Sequence, residues 1–301
     1  MKTALRTVQH LVHVGLVAAV GTLWLGGTAA AQGEEEEPVV QAAQPEVASE
    51  SKVSLGAGID VGSAYFFRGI IQETEGFIGQ PFLEGSITLY EADSGLTSAS
   101  VTGGLWNSMH SGPTGLDGNN ADPELWYEAD FYTSLALGFQ NDVETSLTYT
   151  AYMSPNSVFG TVKELAVGFS HGGLPMSPYA TLAFEIDGQA DGGANEGVYL
   201  ELGAEAPIPV SADLPVSFSV PVAVGLSLSD YYEHPLSGED SRFGFFDFGL
   251  IASVPLALPA EYGSWSVTGG VKFLVFGDTL ETLNGDDSFQ PIVVAGVSLS
   301  Y

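Results

Sequence analysis

From Val53 to its C-terminus the chain alternates, with a period of two, between apolar residues and smaller or more polar ones. In the last segment Val293, Leu299 and Tyr301 lie on the apolar side and Ser298 on the other. Successive side chains of a β-strand point to opposite faces, so this pattern predicts strands with one apolar face. After residue 53, no stretch shows helical periodicity or the roughly 18 consecutive apolar residues of a membrane-spanning helix. The alternation therefore restricts the chain to an all-β fold.

Clusters of Gly, Pro, Asn and Asp divide this part of the chain into about twelve strands. An even number of strands puts both chain ends on one side of a sheet, and long connections should then alternate with short ones. The long connections are predicted at 69–80, 109–123, 154–160, 188–197, 230–242 and 277–288. The strands are predicted at 53–68, 81–91, 96–108, 124–139, 143–153, 161–170, 178–187, 198–206, 216–229, 243–254, 264–276 and 289–301.

Two architectures fit the alternation: a water-soluble sandwich and a closed barrel that crosses a membrane. A face rich in Gly, Ala and Ser suits the lumen of a barrel. Aromatic residues near strand ends suit the interfacial girdles of a membrane barrel. These aromatic residues are Tyr65, Phe67, Tyr127, Phe169, Trp265 and Phe273.

The last strand ends on Tyr301, which is also the last residue. A terminal strand that closes on an aromatic residue resembles the signal read by the barrel-assembly machinery of outer membranes. We therefore predict an antiparallel transmembrane β-barrel of about 12 strands in a bacterial outer membrane, with both termini periplasmic. Tyr301 is its predicted assembly signal, and outer-membrane lipids and lipopolysaccharide are its predicted surroundings.

The first 52 residues are predicted to lie outside the barrel, which spans 53–301. Lys2 and Arg6 precede a largely apolar stretch that ends in Ala29-Ala30-Ala31, which predicts an exported chain with a cleaved signal peptide at 1–31. An uncleaved membrane anchor is the alternative. Residues 32–52 begin with an acidic run and are predicted to form a disordered tether.

The charge balance and the lack of cysteine exclude several kinds of protein. The chain has seven basic and 37 acidic residues and no cysteine. A lipoprotein anchor and disulfide bonds are therefore excluded. Removal of Lys2 and Arg6 with the signal peptide would leave five basic residues, which argues against nucleic acid as a partner. The acidity favours cations, including divalent cations held between acidic outer loops and lipopolysaccharide phosphates.

One segment contains Ser63, Tyr65, Phe67, Arg68 and Gly69 at the spacing Ser-x-Tyr-x-Phe-Arg-Gly. It resembles the first-strand motif Ser-Asp-Tyr-x-Phe-Arg-Gly of the Gcw-chp family, a family of uncharacterised proteobacterial outer-membrane proteins. Ala64 replaces the family's acid, and Glu73 interrupts its Gln-Thr pair. Residues 103–108 resemble the family's Gly-x-Trp-x-Ser-Asn segment, and 128–132 its Glu-x-Asp-x-Tyr strand. The resemblance covers about 53–170 and implies an outer-membrane barrel without implying an activity.

Nearly all strand charges fall on the side predicted to face the lumen. An Arg or Lys side chain that faces lipid at the middle of the bilayer destabilises a barrel by about 2–4 kcal/mol, which supports this side assignment. Arg68 and Lys272 are the predicted lumen bases. Arg68 is either one half of a bracing ion pair, with Asp60, Glu84 or Glu128, or a ligand-orienting or constriction residue. The predicted lumen acids, which would line a pore, are Asp60, Glu84, Glu128, Asp130, Glu144, Glu164, Glu185, Asp187, Glu201, Glu205 and Asp247.

An acidic lumen predicts a preference for cations. Barrels of eight strands are filled by side chains and those of 16–18 hold a channel, so twelve strands allow either state. The leading hypothesis is a porin-like channel for small polar or cationic solutes. The alternative is a non-conducting structural or adhesion-type barrel with acidic surface loops, and an esterase-like barrel is the third.

No catalytic, cofactor or metal site is predicted. His110, His171 and His234 fall in predicted loops or turns, without zinc-ligand spacing. Ser111 follows His110 directly, and adjacent strand residues point in opposite directions, so they form no catalytic pair. The stretch 117–122 and the pair Asp286-Asp287 offer oxygen ligands for Ca²⁺ and are interpreted as turn chemistry.

Overall fold

A computed structural model describes residues 52–112, 125–211 and 214–301. The predicted signal peptide, the acidic segment up to residue 51 and the loop 117–122 lie outside the described residues. In the described part, twelve strands form one closed antiparallel sheet in which chain neighbours pair. These strands are β1 (Val53–Gly62), β4 (Ile78–Glu91), β5 (Leu96–His110), β6 (Trp126–Phe139), β7 (Val143–Met153), β8 (Val162–His171), β9 (Tyr179–Asp187), β10 (Val198–Ile208), β11 (Ser217–Ser229), β12 (Phe243–Leu256), β13 (Ser264–Phe276) and β14 (Phe289–Ser300).

The barrel closes between the first and the last strand. Ile59 of β1 lies opposite Val297 of β14 on one side and Pro81 of β4 on the other. The backbones of Leu55 and Tyr301 exchange two hydrogen bonds of 2.8 Å at this seam. The predicted closed antiparallel barrel of about twelve strands is confirmed.

The two ends of the barrel differ in their connections. The turn end carries both ends of the described barrel and the connections 92–95, 140–142, 172–178, 209–216 and 257–263. The loop end carries the connections 63–77, 111–125, 154–161, 188–197, 230–242 and 277–288. Two further elements belong to the loop end: a hairpin of β2 (Tyr65–Phe67) and β3 (Ile70–Glu73), and the short helix α1 (Asp278–Leu283). No helix in the described ranges is long and apolar enough to cross a membrane.

The outer surface of the barrel is apolar. Leu83 and Ile87 of β4, Leu165 and Val167 of β8, and Val293 of β14 occupy alternate outward positions and are 37–59% exposed. A continuous apolar surface of this kind marks contact with lipid or protein rather than with water. The alternation seen in the sequence therefore has its apolar side on the outside of the barrel.

A β-bulge between β5 and β6 changes which side chains face inward. Ser108 lies opposite Glu128 and Met109 opposite Trp126, so Tyr127 is an extra residue in β6. Trp126 is consequently half exposed, while Tyr127 and Glu128 are both buried. The sequence pattern placed Tyr127 on the lipid-facing side, because a strict period of two takes no account of an inserted residue.

A second bulge corrects the predicted position of Asp187. Glu164 of β8 lies opposite Glu185, and Lys163 lies opposite Asp187, so Ile186 is the extra residue in β9. Asp187 therefore points away from the lumen, where its Oδ2 accepts a hydrogen bond from Lys163 Nζ at 2.7 Å. This ion pair is exposed, and Asp187 is not one of the lumen acids.

Candidate functional site

The first strand does not continue to residue 68 as predicted. β1 ends at Gly62, and β2 and β3 fold back as a hairpin whose residues from Tyr65 to Ile70 are all buried inside the barrel. Arg68 and Gly69 form its turn, with φ of +47° and +82°. Positive φ at both central residues is what a type I′ turn requires. The family-like motif therefore forms an inward hairpin, and Tyr65 and Phe67 are not lipid-facing aromatics.

Side chains from distant loops hold the backbone of this turn. Tyr232 Oη donates a hydrogen bond of 2.9 Å to the Arg68 carbonyl. Asn284 Nδ2 donates to the Gly69 carbonyl at 2.8 Å, and Asn284 Oδ1 accepts from the Ile71 N–H at 2.9 Å. Buried backbone groups need such partners, so these contacts allow the turn to sit inside the barrel. Sequence reasoning did not identify Tyr232 or Asn284, because neither lies in a motif.

Arg68 is held between one carboxylate and several aromatic rings. Its Nη1 and Nη2 donate hydrogen bonds of 2.6 and 2.8 Å to the two oxygens of Glu164, in the bidentate geometry that suits a guanidinium. Nη1 also donates to Tyr231 Oη at 2.8 Å, and the guanidinium carbon lies 4.2 Å from the centre of the Tyr199 ring. Both charged side chains are at most 3% exposed. Arg68 thus forms an ion pair across the lumen.

The partner of Arg68 is not one of the three that the sequence suggested. Asp60, Glu84 and Glu128 were chosen on the assumption that Arg68 belongs to the first strand. The hairpin instead carries Arg68 to β8, where Glu164 lies. Asp60 stays half buried on β1, and Glu84 accepts a hydrogen bond of 2.8 Å from Tyr132 Oη.

On the opposite face of the hairpin, Tyr65 contacts two buried acids of β6. Its hydroxyl donates a hydrogen bond of 2.7 Å to Glu128 Oε2. Glu128 and Asp130, two positions apart on the same face, are 3% and 1% exposed. Their carboxyl groups lie within hydrogen-bonding reach of each other, and the backbone N–H of Met153 on β7 also lies close to Asp130. These two predicted lumen acids do face inward, but they lie against the hairpin rather than in water.

His110 is buried, not in a loop as predicted. It ends β5, its ring stacks on Tyr127 at 4.4 Å, and it meets the Tyr65 ring edge to face. Its Nε2 shares a hydrogen bond of 2.8 Å with Ser108 Oγ, the residue two positions earlier on the same face. Both Ser108 and His110 are fully buried, so this Ser–His contact lies out of reach of solvent.

The second strand of the hairpin is tied to the barrel by Gln72 and Glu73. Tyr127 Oη donates a short hydrogen bond to Gln72 Oε1. Glu73 falls in the predicted connection 69–80, yet it is 1% exposed. Burial raises the pKa of Glu73, and hydrogen bonds from the N–H groups of Glu75 and Gly112 oppose that rise.

Apolar side chains fill the space on both faces of the hairpin. Phe66 and Ile70 pack against a cluster on one wall and Tyr65 and Phe67 against a cluster on the other. The first wall consists of Ala166, Ala183, Tyr199, Tyr231, Tyr232, Phe245, Leu274, Phe276, Leu280 and Ile292. The second wall consists of Ile78, Trp106, Tyr127, Tyr152 and Val162. The hairpin and these walls together fill the lumen at the loop end.

Towards the turn end the lumen is lined by small hydroxyl side chains, glycines and half-buried acids. Tyr132 lies over Gly104, and Tyr179 over Gly203, where a Cβ atom would collide with either ring. Tyr179 Oη donates a hydrogen bond of 2.8 Å to Glu201, much as Tyr132 does to Glu84. Asp60, Glu84, Glu144, Glu201 and Glu205 are all partly accessible here. This half of the lumen is polar and partly hydrated, unlike the half that holds the hairpin.

The predicted lumen base Lys272 is also paired. Its Nζ lies 2.6 Å from Asp247 Oδ2, and both residues are at most 9% exposed. Glu185, another predicted lumen acid, accepts hydrogen bonds of 2.7 Å from the N–H groups of Ala190 and Gly197. The inward charges near the hairpin therefore have partners within the protein.

Two acidic side chains connect the loops above the hairpin by accepting hydrogen bonds from backbone N–H groups. Glu233 accepts hydrogen bonds from the N–H groups of Ala194 and Asn195. Asp191 accepts from the N–H groups of Gly193 and Glu233 at 2.7 Å. Burial raises the pKa of Asp191, and these N–H donors counteract the rise. Glu233 falls in the predicted connection 230–242, yet it is 7% exposed and has a structural role.

Among residues 52–112, 125–211 and 214–301, no three His, Asp or Glu side chains lie together in a way that could hold a metal ion. Asp286 and Asp287 lie exposed after α1, at the loop end.

Comparisons with known proteins assign no family to the chain. No family model and no curated protein match it, so the resemblance to the Gcw-chp family is not confirmed. The NanC porin aligns with 82% of this chain and 98% of its own, at 10% identity and a TM-score of 0.37. The translocator domain of the autotransporter NalP from Neisseria meningitidis aligns with 85% and 90%, at 14% identity and a TM-score of 0.38. Another porin aligns with 83% and 99%, at 12% identity and a TM-score of 0.32. At these values the matches assign no function.

Proposed function

We propose that the chain is an outer-membrane barrel whose lumen is closed to ions by the hairpin in its resting state. One observation carries the proposal: every residue from Ala64 to Ile70 is buried, those from Ala64 to Arg68 are at most 6% exposed, and the wall residues around them are buried too. An ion would have to leave its hydration shell to pass such a layer, at a cost of several kcal/mol or more. Of the two leading hypotheses from the sequence, this geometry favours the non-conducting barrel.

The barrel is proposed to sit in the outer membrane with its loop end outside and its turn end in the periplasm. Its apolar outer surface supports the membrane location, and the longer connections at the loop end fit the outer side of such barrels. An enzymatic role is not proposed, because the buried Ser108–His110 contact offers no access for a substrate.

The conductance of the purified protein in a planar bilayer tests the closure. Wild-type protein should show no ion-conducting steps at neutral pH. Gly62 of β1 pairs with Ile78 of β4, so a short glycine-containing turn can replace residues 64–76 without separating these strands. That variant should conduct, because it lacks the hairpin. Shortening the exposed loop tip at 235–238 is the control and should produce no conductance. Steady conductance of the wild type would refute the closure.

A cation-preferring channel is a second candidate function. The observation that favours it is the polar turn-end half of the lumen, where partly accessible acids such as Glu84 and Glu201 lie. Such a lining attracts cations and excludes anions when water reaches it. The channel would conduct only when the hairpin leaves the lumen.

Tyr301 is proposed to guide assembly by the barrel-assembly machinery. It is 68% exposed at the turn end, where its backbone pairs with Leu55. Changing Tyr301 to Asp should lower the amount of folded barrel in the membrane severalfold, since a charge replaces an aromatic ring at the membrane interface. The measurement is the fraction of protein that migrates as a heat-sensitive folded band on a gel. Tyr262→Asp, at another exposed turn-end tyrosine, is the control. An unchanged folded band for Tyr301→Asp would contradict the proposal.

A further inference from the structure

We propose that the Glu128–Asp130 pair makes the hairpin a gate that opens as the pH rises above neutral. The inference rests on the proposed closure of the lumen by the hairpin. It starts from two carboxyl groups that share one face of β6, at 3% and 1% exposure, without a basic partner. Arg68 is committed to Glu164 with both of its terminal nitrogens.

The pair must hold a proton while the gate is closed. In the described part of the chain no basic side chain pairs with Asp130, whose neighbours are Glu128 and the backbone N–H of Met153, and Glu128 accepts a hydrogen bond from Tyr65 Oη. Two ionised carboxylates in contact and out of water repel each other and lose their hydration, so one of them keeps a proton. That proton forms the hydrogen bond between them, and Tyr65 Oη supplies the next one. The hairpin is therefore linked to the wall through a protonated pair.

Opening releases this proton to the solvent. Once Tyr65 and the hairpin move away, water reaches both carboxyl groups and both ionise at ordinary pH. The closed state thus binds one proton more than the open state, and raising the pH favours the open state. For one proton, the open population rises about tenfold per pH unit above the point where release begins.

The other ionisable groups that face the pair do not produce the same response, whereas Glu73 of the hairpin, whose pKa is raised by burial, would act in the same direction and is distinguished by the Glu128→Gln variant. The facing groups come from the hairpin, β5, the rest of β6, β7 and β8, and are Tyr65, Arg68, His110, Tyr127, Tyr152 and Glu164. His110 gains a positive charge as the pH falls, so its ionisation would favour opening at low pH rather than at high pH. Glu164 is held by Arg68 in the closed state through their buried ion pair. Burial raises the pKa of Tyr65 well above its ordinary value, and the nearby acids raise it further, so it stays protonated.

The chain contains no cysteine, so a single introduced cysteine reports on the hairpin. Ala64→Cys places a small thiol at a position that is 4% exposed. Its reaction with a charged, membrane-impermeant thiol reagent should be slow at pH 7 and at least tenfold faster at pH 9.5. The rate is divided by that of Ser237→Cys, an exposed loop-end position, to remove the effect of pH on the thiol itself.

The variant Glu128→Gln identifies the cause. Glutamine keeps an oxygen for Tyr65 and supplies an N–H for Asp130, so it imitates the protonated pair without a proton to lose. In the Ala64→Cys background it should stay closed and lose the pH response, and Asp130→Asn should do the same. Glu91→Gln, at an exposed acid at the turn end of β4, should respond like the parent.

The outcomes separate the gate from the closure. If wild-type protein is silent in the bilayer at pH 7 and begins to conduct towards pH 9.5, both stand. If the wild-type protein shows no conductance at pH 7 or at pH 9.5, and the thiol of the Ala64→Cys variant stays unreactive, the gate is refuted and the closure stands. An equal pH response in Glu128→Gln would also refute the gate. Conductance or rapid labelling already at pH 7 would refute the closure itself.

Discussion

Replacing Glu164 with alanine is expected to release the hairpin from the barrel wall at neutral pH. Arg68 would keep its charge while losing both of its carboxylate hydrogen bonds, at 3% exposure. Removing one partner of a buried ion pair costs about 3–5 kcal/mol, because the remaining charge is left without compensation. Expelling the hairpin hydrates Arg68 and recovers part of that cost, so the open population should rise roughly 100-fold or more. Labelling of Ala64→Cys at pH 7, and the onset of conductance, measure this change.

The adjacent residue provides a matched control. Lys163 precedes Glu164 on β8 and forms an exposed ion pair with Asp187 at 2.7 Å. Exposed pairs of this kind contribute little to stability, so Lys163→Ala should leave the hairpin closed. Replacing Arg68 and Glu164 together with methionine should restore much of the closure, since an apolar pair leaves no buried charge. Equal labelling of the Glu164→Ala and Lys163→Ala proteins would show that the ion pair does not hold the hairpin.

The alternation predicted the barrel strands well because the lipid side and the lumen side of a barrel wall each stay the same along a strand. Lipid selects apolar residues on one side, and the lumen selects small or polar ones on the other. Eleven of the twelve strands begin and end within three residues of their predicted limits. The remaining one, β1, was extended to residue 68, because Tyr65 and Phe67 continue its alternation into the hairpin.

The hairpin carries only a weak local signal in the sequence. Arg68-Gly69 is not one of the usual dipeptides of a two-residue turn, and the positive φ of Arg68 depends on contacts with loops more than 150 residues away. Consecutive apolar residues on both sides of the turn are the one available clue, since they require burial on both faces. Single inserted residues such as Tyr127 leave no trace in a period-two pattern. The sequence therefore predicted which way most of the acidic side chains point. It could not predict their hydrogen-bond and ion-pair partners, because these depend on the position of the hairpin.

The variant in which a short turn replaces residues 64–76 should conduct cations in preference to anions. Without the hairpin, water should run the length of the lumen, past Glu84, Glu144, Glu201 and other acids. Lys272 is neutralised by Asp247 at 2.6 Å, so no free base on the described strands offsets them. A narrow passage with low-dielectric walls focuses the resulting field. The reversal potential across a KCl gradient should therefore favour K⁺ over Cl⁻ severalfold.

Two further measurements, at different salt concentrations and after replacement of two lumen acids, distinguish the electric field of the acids from other causes of selectivity. The Debye length falls from about 30 Å at 0.01 M to about 3 Å at 1 M, so the preference should weaken at high salt. Changing Glu84 and Glu201 to Gln should reduce it further at low salt, while the hydroxyls of Tyr132 and Tyr179 keep an amide oxygen to bond with. Asp187→Asn is the matched control, because that acid lies outside the lumen and its loss should not change the reversal potential. A preference for Cl⁻ would mean that the acids of the turn-end half are not ionised when the lumen fills with water.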